Sequence, residues 1–299
     1  MSQIEYLIID WGTTNFRAFA IDGSGQCIDK IERKMGLLSV ADGQFSHVLA
    51  DTLSNWLTDY QQHPIFMAGM VGSANGWLDA GYVETQASIL SLAAKIHHFA
   101  LPWGAPAYIV PGVSHLEPPG ITDVMRGEEV QVLGLQGLCA NGDFCALLPG
   151  THSKHVAVTQ KHISQFSTYM TGEVFSLLVN HSILGKGLPE QVEDRETFER
   201  GVFQAQQDRS LLTQLFSART NLLFKNISPS HVHSFVSGLL IGHELSQVKE
   251  RVYIVGGEAL AKRYLSACQL LGIDAQIFDG DSCFISGIQM IKESINETV

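Results

Sequence analysis

Tyr6-Leu-Ile-Ile-Asp10-Trp-Gly-Thr-Thr14 is a short apolar run that ends in an acidic residue and a loop of small residues, and Phe16-Arg-Ala-Phe-Ala-Ile21 resumes the apolar pattern before the turn Asp22-Gly-Ser-Gly25. Bounded by turn residues, the two runs read as strands joined by a loop. A third strand is expected over residues 27–34. Met35-Gly36 then leads to an amphipathic helix with Phe45, Val48, Leu49, Leu53, Trp56 and Leu57 at helical spacing. The unit is a three-stranded meander followed by a helix.

The same order returns in mid-chain. Phe144-Cys-Ala-Leu-Leu148 precedes the loop Pro149-Gly-Thr-His-Ser-Lys154, His155-Val-Ala-Val-Thr159 follows it, and a turn at residues 160–162 feeds a strand over 163–169. Met170-Thr-Gly172 then opens the apolar helix Val174-Phe-Ser-Leu-Leu-Val179. Gly12 and Gly36 are 24 residues apart, Gly150 and Gly172 are 22 apart, and each pair brackets a Gly-Thr loop and two further strands. A repeat at this distance is too long for a solenoid and points to two domains of one topology. The plainer account is that Gly-Thr turns between strands are common, and the sequence leaves both open.

Between the halves, residues 102–119 hold Pro102, Pro106, Pro111, Pro118 and Pro119, five of the nine prolines, around one expected strand at 107–110. Such a stretch resists helix. In residues 121–135, Val124, Met125, Val132 and Leu135 suit a helix begun at Thr122 or Asp123, and the domain crossing is placed there. The expected division is therefore 1–122, completed by a C-terminal helix within 282–299, and 123–281. Residues 189–200 mix charges of both signs and read as a solvated helical face. Arg251-Val-Tyr-Ile-Val255 is a buried-strand run, Gly256-Gly-Glu-Ala259 turns it into a helix over 260–271, and a last strand at 275–278 precedes the final helix. Strands alternating with helices, together with two meanders, predict an α/β protein with mixed sheets.

At 299 residues the chain is long enough for two domains of roughly 150 residues each. Its 45% hydrophobic and 16% charged residues exclude a disordered protein. Acidic residues outnumber basic ones 30 to 19, and a net charge of −11 repels nucleic acid and anionic membrane surfaces. Any anionic ligand must be held by local donors. Five scattered cysteines without a C-x-x-C, and an N-terminal stretch lacking the order of a cleavable signal, are expected of a reducing cytoplasm. No segment approaches the ~18 uncharged apolar residues of a membrane span.

Neither G-x-x-x-x-G-K-[ST], G-x-G-x-x-G after a strand, G-x-S-x-G nor H-E-x-x-H occurs, which removes P-loop, Rossmann, α/β-hydrolase and zincin readings. His152 and His155 form an H-x-x-H, but on a loop entering a strand they diverge, and a third zinc ligand is lacking. Small residues between strands leave backbone N–H groups free to meet an anion, and threonine hydroxyls add donors. Both Gly-Thr loops suit a phosphate cradle. Asp10, beside the first, either holds Mg²⁺ through water or caps the turn.

Five ordered segments carry a resemblance: Asp10-Trp-Gly-Thr-Thr-Asn-Phe-Arg17, Gly69-Met-Val-Gly-Ser-Ala-Asn-Gly-Trp77, Val124-Met-Arg-Gly-Glu-Glu129, Leu148-Pro-Gly-Thr-His-Ser-Lys154 and Val255-Gly-Gly-Glu-Ala-Leu260. Together they resemble the 2-dehydro-3-deoxygalactonokinase family of the actin-like, hexokinase-like ATPase superfamily, over essentially the whole chain. The resemblance implies two actin-like (ribonuclease H-like) domains facing each other across a nucleotide and sugar cleft. It also implies ATP- and Mg²⁺-dependent phosphorylation of the 6-hydroxyl of 2-dehydro-3-deoxy-D-galactonate in galactonate degradation.

In that pattern Asp10 is the metal carboxylate and Gly12, Thr13 and Thr14 form the first phosphate loop. Gly150, Thr151, His152, Ser153 and Lys154 form the second, and Gly256-Gly257 lies under adenosine. Many relatives carry an acidic residue before the second Gly-Thr; this chain has Pro149, which leaves a second acidic Mg²⁺ anchor unassigned. Phosphoryl transfer needs positioning, charge neutralisation and a carboxylate that orients the attacking hydroxyl. Asp123 is the first choice for that carboxylate, in a place resembling the catalytic aspartate of glycerol kinase-like relatives, although an N-cap explains the same position. Glu128 is the fallback. Arg126 and Arg17 are the guanidinium groups best placed to pair with a substrate carboxylate, unless solvated at the surface. Gly72, Ser73 and Asn75 offer amide and hydroxyl donors to a sugar or form a plain turn, and Trp77 is a sugar platform or core.

Alternatives remain at this level: a kinase for another sugar or 2-keto-3-deoxy sugar acid, a phosphatase or ATPase of the same superfamily, or a non-catalytic sugar sensor. The chain starts directly on its first strand and has no basic region, which speaks against a DNA-binding sensor. Homo-oligomerisation is left open.

Overall fold

The computed structural model describes residues 3–117, 120–139 and 142–297. Pro118 and Pro119, and the last two residues of the expected 282–299 segment, lie outside them.

One compact unit comprises Met1–Asp143, Val158–Phe166 and Gly280–Val299. It begins with the meander β1 (Ile4–Trp11), β2 (Phe16–Asp22) and β3 (Cys27–Arg33), in antiparallel register with Ile9 opposite Ala18 and Asp10 opposite Arg17. There follow α1 (Phe45–Ser54), β4 (Ile65–Ala68), β5 (Tyr82–Glu84), α2 (Ile89–Ala94), β6 (His97–Ala100), β7 (Pro106–Ile109), β8 (Gly112–Glu117), β9 (Ile121–Met125) and α3 (Glu128–Leu138). The main sheet has the order β3-β2-β1-β4-β7-β6, with β1, β4 and β7 parallel; β5, β8 and β9 make a small sheet. Leu7, Ile9 and Trp11 of β1 pack with Leu49 and Leu53 of α1, Met67 and Ile109, all fully buried. Each such side chain contributes about 1.5–3 kcal/mol, so β1 is held rigidly up to the residue that opens the first loop.

The second unit comprises Phe144–Ala157 and Ser167–Asp279. Its elements run β10 (Phe144–Leu148), the first part of β11 (Ser153–Thr159) and the last part of β12 (His162–Tyr169), whose residues 158–166 group with the first unit, then α4 (Thr171–His181), α5 (Arg195–Ala205), α6 (Leu211–Leu223), α7 (Val232–Leu245), β13 (Val252–Gly256), α8 (Glu258–Leu270) and β14 (Ala275–Asp279). The sheet order is β12-β11-β10-β13-β14, with β10, β13 and β14 parallel. The links between β10, β11 and β12 are too short for parallel neighbours. A meander followed by two parallel strands is therefore the plan of both sheets, and the repeat seen in the sequence is one of topology.

Three expectations change. Residues Ile121–Met125 are a strand, not the start of a helix: β9 pairs antiparallel with β8, His115 facing Asp123, and the β-branched Ile121, Thr122 and Val124 suit it. The helix starts at Glu128, after Gly127 at φ +105°. Residues 123–143 consequently group with the first unit, where α3 packs on α9 (Gly280–Glu297); the Ser286 hydroxyl donates to the Gly134 carbonyl at 3.0 Å. Residues 189–200, read as a solvated face, lead into α5, which is capped by Asp194 and buries Phe198 and Val202 against Ile241 and Leu245 of α7. None of the described helices is long and apolar enough to cross a membrane.

Candidate active site

The first Gly-Thr loop leaves the sheet abruptly. Trp11 and Phe16 on either side are fully buried and meet edge to face at 5.1 Å, whereas Thr13, Thr14 and Asn15 between them are exposed. The Gly12 N–H closes the loop on the Asn15 carbonyl at 2.9 Å, and the amides of Thr13 and Thr14 find no backbone acceptor among the described residues. Leu37 and Leu38 donate to the Gly12 and Thr13 carbonyls (2.9 and 3.4 Å), which fixes the loop backbone by its carbonyls and leaves the Thr13 and Thr14 amides out of these bonds. Gly36 makes this approach possible, since a Cβ there would overlap the Thr13 carbonyl.

The second loop repeats the device. A Cβ on Gly172 would overlap the Gly150 carbonyl oxygen, and Glu173 donates its N–H to the Thr151 carbonyl at 3.0 Å. Thr151 and His152 are exposed, and the His152 ring pairs with the Glu173 carboxylate. Ser153 and Lys154, expected among the phosphate ligands, are buried: Ser153 hydrogen bonds to the Tyr264 hydroxyl at 3.0 Å, and Lys154 Nζ donates to Thr168 at 2.6 Å. Successive residues of β11 face opposite sides, and each finds a partner there, Ser153 on Tyr264 and Lys154 on Thr168, so they support the loop. Gly256 packs beside Pro149, and Gly257 stands in open space at the N-terminus of α8.

Asp10 and Arg17 sit opposite each other in the first hairpin. Asp10 Oδ2 accepts from Arg17 Nε at 3.1 Å and from Nη2, while Arg17 Nη1 donates to Asp281, which also takes Lys30 Nζ at 3.1 Å. Burial raises the Asp10 carboxyl above the usual range, and the Arg17 charge opposes it. Two carboxylates thus occupy the Arg17 guanidinium, and the structure does not join it to the residues expected to bind substrate with it.

The 126–129 turn lies against Gly69, which in turn lies against the end of β1. Gly69, at φ +95°, has no room for a Cβ, which would stand 2.8 Å from the Trp11 carbonyl oxygen and 3.1 Å from Asp10 Oδ1; the Cα of Gly69 in turn abuts Gly127. Glu129 is fully buried, and both its carboxyl oxygens accept from the Gly127 N–H (2.9 and 2.7 Å). Burial, with the neighbouring Glu128 charge, pushes this carboxyl up to about 8 against those hydrogen bonds. Sequence reasoning passed over Glu129, although the Arg-Gly-Glu-Glu segment contained it. Glu128 accepts from the Arg126 N–H at 3.0 Å.

Arg126 lies over the Tyr82 ring at 4.4 Å and donates Nη2 to the Gly81 carbonyl at 3.0 Å, but its Nε and Nη1 are buried without a hydrogen-bond partner among the described residues. Gly72 borders it, a Cβ there coming within 3.2 Å of Nη1. Two unmatched donors on one cation are costly, about 1–3 kcal/mol each, and mark a group poised for an anion. The other members of the 72–77 segment divide: Asn75 is exposed; Ser73 is buried with its hydroxyl on the Met70 carbonyl at 2.7 Å; Trp77 stacks on Phe45 at 6.2 Å and meets Phe99 at 5.3 Å. Trp77 is thereby part of the core wall. Asp123 is half-buried in β9, its Oδ1 accepting from the Val124 N–H at 2.7 Å, so it caps no helix.

Among known families, the 2-keto-3-deoxy-galactonokinase family matches residues 10–291. The 2-dehydro-3-deoxygalactonokinase of Escherichia coli K12 is 34% identical over 298 residues, covering 97% of this chain and 98% of its own. A crystal structure of a Sinorhizobium meliloti protein assigned as a 2-dehydro-3-deoxygalactonokinase superposes with a TM-score of 0.88 at 29% identity, over 97% of this chain and 99% of the other. The activator of the 2-hydroxyisocaproyl-CoA dehydratase from Clostridium difficile, solved with bound ADPNP, reaches a TM-score of 0.50 at 9% identity over 98% and 96% of the two chains, and shares the fold alone. The architecture is that of the actin-like ATPases and sugar kinases.

Proposed function

The chain belongs to the 2-keto-3-deoxy-galactonokinase family and is a sugar-acid kinase with an alcohol group as acceptor, and from that premise we propose that it transfers the γ-phosphoryl group of ATP to the 6-hydroxyl of 2-dehydro-3-deoxy-D-galactonate. The observation that carries the nucleotide half of this reading is the duplicated cradle: two exposed Gly-Thr loops, each braced by a glycine that brings the next segment onto its backbone. Backbone amides arranged in this way suit phosphate oxygens. Gly12, Thr13 and Thr14 in the first unit, and Gly150, Thr151 and His152 in the second, are each read as phosphate-binding residues. Gly256 and Gly257, bare of side chains at a helix N-terminus, lie under adenosine.

Magnesium accepts one or two carboxylates and fills its octahedron with water and phosphate oxygens. Asp10 fits that demand: Arg17 holds its Oδ2, and Oδ1 is the oxygen left to an ion. No group of three acidic, cysteine or histidine side chains among the described residues would hold a metal without the nucleotide. When bound, the ion neutralises charge on the phosphates undergoing transfer.

On the acceptor side Arg126 supplies the charge-assisted contact that a keto-acid carboxylate needs, Gly72 borders it, and the exposed Asn75 is a further candidate donor. Glu128, in the turn that abuts Gly69, orients the acceptor hydroxyl and takes its proton; Asp123 is its rival. The reaction belongs to galactonate breakdown in the reducing cytoplasm, a setting consistent with five cysteines that form no disulfide among the described residues. ATP consumption against a panel of 2-keto-3-deoxy sugar acids, with ADP release measured in the absence of acceptor, tests the reading. A preference for the galacto epimer is expected. A preference for another acid would leave a kinase of different specificity, and acceptor-independent ADP release a simple ATPase.

A further inference from the structure

Glu244, on α7, is 2% exposed and gathers donors from three other elements of the second unit. His155 of β11 meets Oε1 at 2.9 Å, while Oε2 accepts from the Tyr264 hydroxyl of α8 at 2.7 Å and from the Thr171 hydroxyl at the start of α4. Tyr264 continues to Ser153 at 3.0 Å, and the Ser153 hydroxyl accepts from the Gly150 N–H at 3.4 Å. The donors align in one direction: Gly150 to Ser153, Ser153 to Tyr264, Tyr264 to Glu244. Thr171 precedes Gly172, whose backbone touches Gly150 and Thr151. All three arms of this carboxylate thus end on segments that border the second Gly-Thr loop.

Aligned chains of hydrogen bonds polarise one another, and a buried carboxylate at the end fixes their direction. We infer that Glu244 is a positioning residue for nucleotide binding, which holds the second Gly-Thr loop in its phosphate-accepting form through Tyr264, Ser153 and Thr171. The inference rests on the reading of residues 150–152 as phosphate ligands. Glu244 itself touches no substrate.

The test is a double-mutant cycle of Ser153→Ala and Tyr264→Phe, which removes the two hydroxyls of the chain while leaving the packing of both side chains. ATP KM, sugar-acid KM and the ADP dissociation constant are measured for each variant, with Glu244→Leu and Glu244→Gln beside them. Each single hydroxyl variant should raise ATP KM and the ADP constant about 3- to 10-fold with sugar-acid KM within twofold, and the double variant should be no worse than the poorer single one. Glu244→Leu should lose more. Glu244→Gln should recover most of the affinity, because its amide still accepts from Tyr264 and Thr171 and donates to the other tautomer of His155. Additive effects in the cycle, or equal effects on both substrates, would overturn the inference. Thr151→Val separates the two levels: if it weakens ATP binding and Tyr264→Phe does not, the positioning role fails alone, and if neither affects ATP the loop is not the phosphate site.

Discussion

Asp10 and Arg17 face each other across the first hairpin, and the guanidinium closes over one carboxylate oxygen while its far side is held by Asp281. The arrangement pairs a part-buried carboxylate with a cation one strand away, whose charge opposes the upward push of burial, and leaves Oδ1 without a hydrogen-bond partner among the described residues. With Asp10 as the proposed metal carboxylate, Asp10→Asn should lower kcat by about 10²-fold or more, the scale of a lost charge at a phosphoryl-transfer centre, because a neutral amide lacks the charge that pairs with Arg17 and would hold the ion. Steady-state rates at saturating Mg²⁺ check it; near-normal turnover there removes Asp10 from the site.

Arg126 carries two buried donors without partners among the described residues, so its loss should be felt by the ligand that would satisfy them. Arg126→Ala is expected to raise KM for the keto acid about 10- to 150-fold, corresponding to roughly 1.5–3 kcal/mol for a charge-assisted hydrogen bond, and to leave KM for ATP nearly unchanged. Equal increases for both substrates would place this guanidinium elsewhere in the reaction.

The choice between Glu128 and Asp123 is open to a direct comparison of rates. Glu128→Gln should reduce kcat by about 10²-fold or more with ADP binding unaltered, whereas Asp123→Asn, on a strand and away from any helix cap, should retain most of its turnover. The reverse ranking would restore Asp123 as the base.

Glu129 links the same turn to pH. Its carboxyl titrates near 4.5 when unfolded and is pushed up to about 8 in the folded protein, by burial first and then by Glu128, with Arg126 and the Gly127 N–H opposing. A raised carboxyl favours folding fully below pH ~4.5, and that contribution is lost as pH rises through about 8. Glu129→Gln, which resembles the protonated form, should flatten the decline. Urea unfolding of both proteins at pH 5, 7 and 9 decides it: parallel pH profiles would show that Glu129 is not the titrating group.

What the sequence by itself determined is the local and the repeated. Hairpin strands, small-residue turns and helical faces depend on contacts between near neighbours, so both meanders, both Gly-Thr loops and the recurrence of Gly36 as Gly172 could be read directly; tertiary packing then explained those glycines as places where a Cβ would strike the loop backbone. Tertiary structure alone decided the rest. Residues 121–125 carry apolar positions that serve a helix or a strand, and pairing with β8 settled them as a strand. Arg17 looked available until Asp281, 264 residues later in the chain, took its outer face. Trp77 was open as a sugar platform or as core, and its ring packs on Phe45 and Phe99. Glu129 and Glu244 resemble surface acids in the sequence, because what makes a carboxylate unusual is the exclusion of water and the direction of donors from distant elements, and those exist only once the chain has packed.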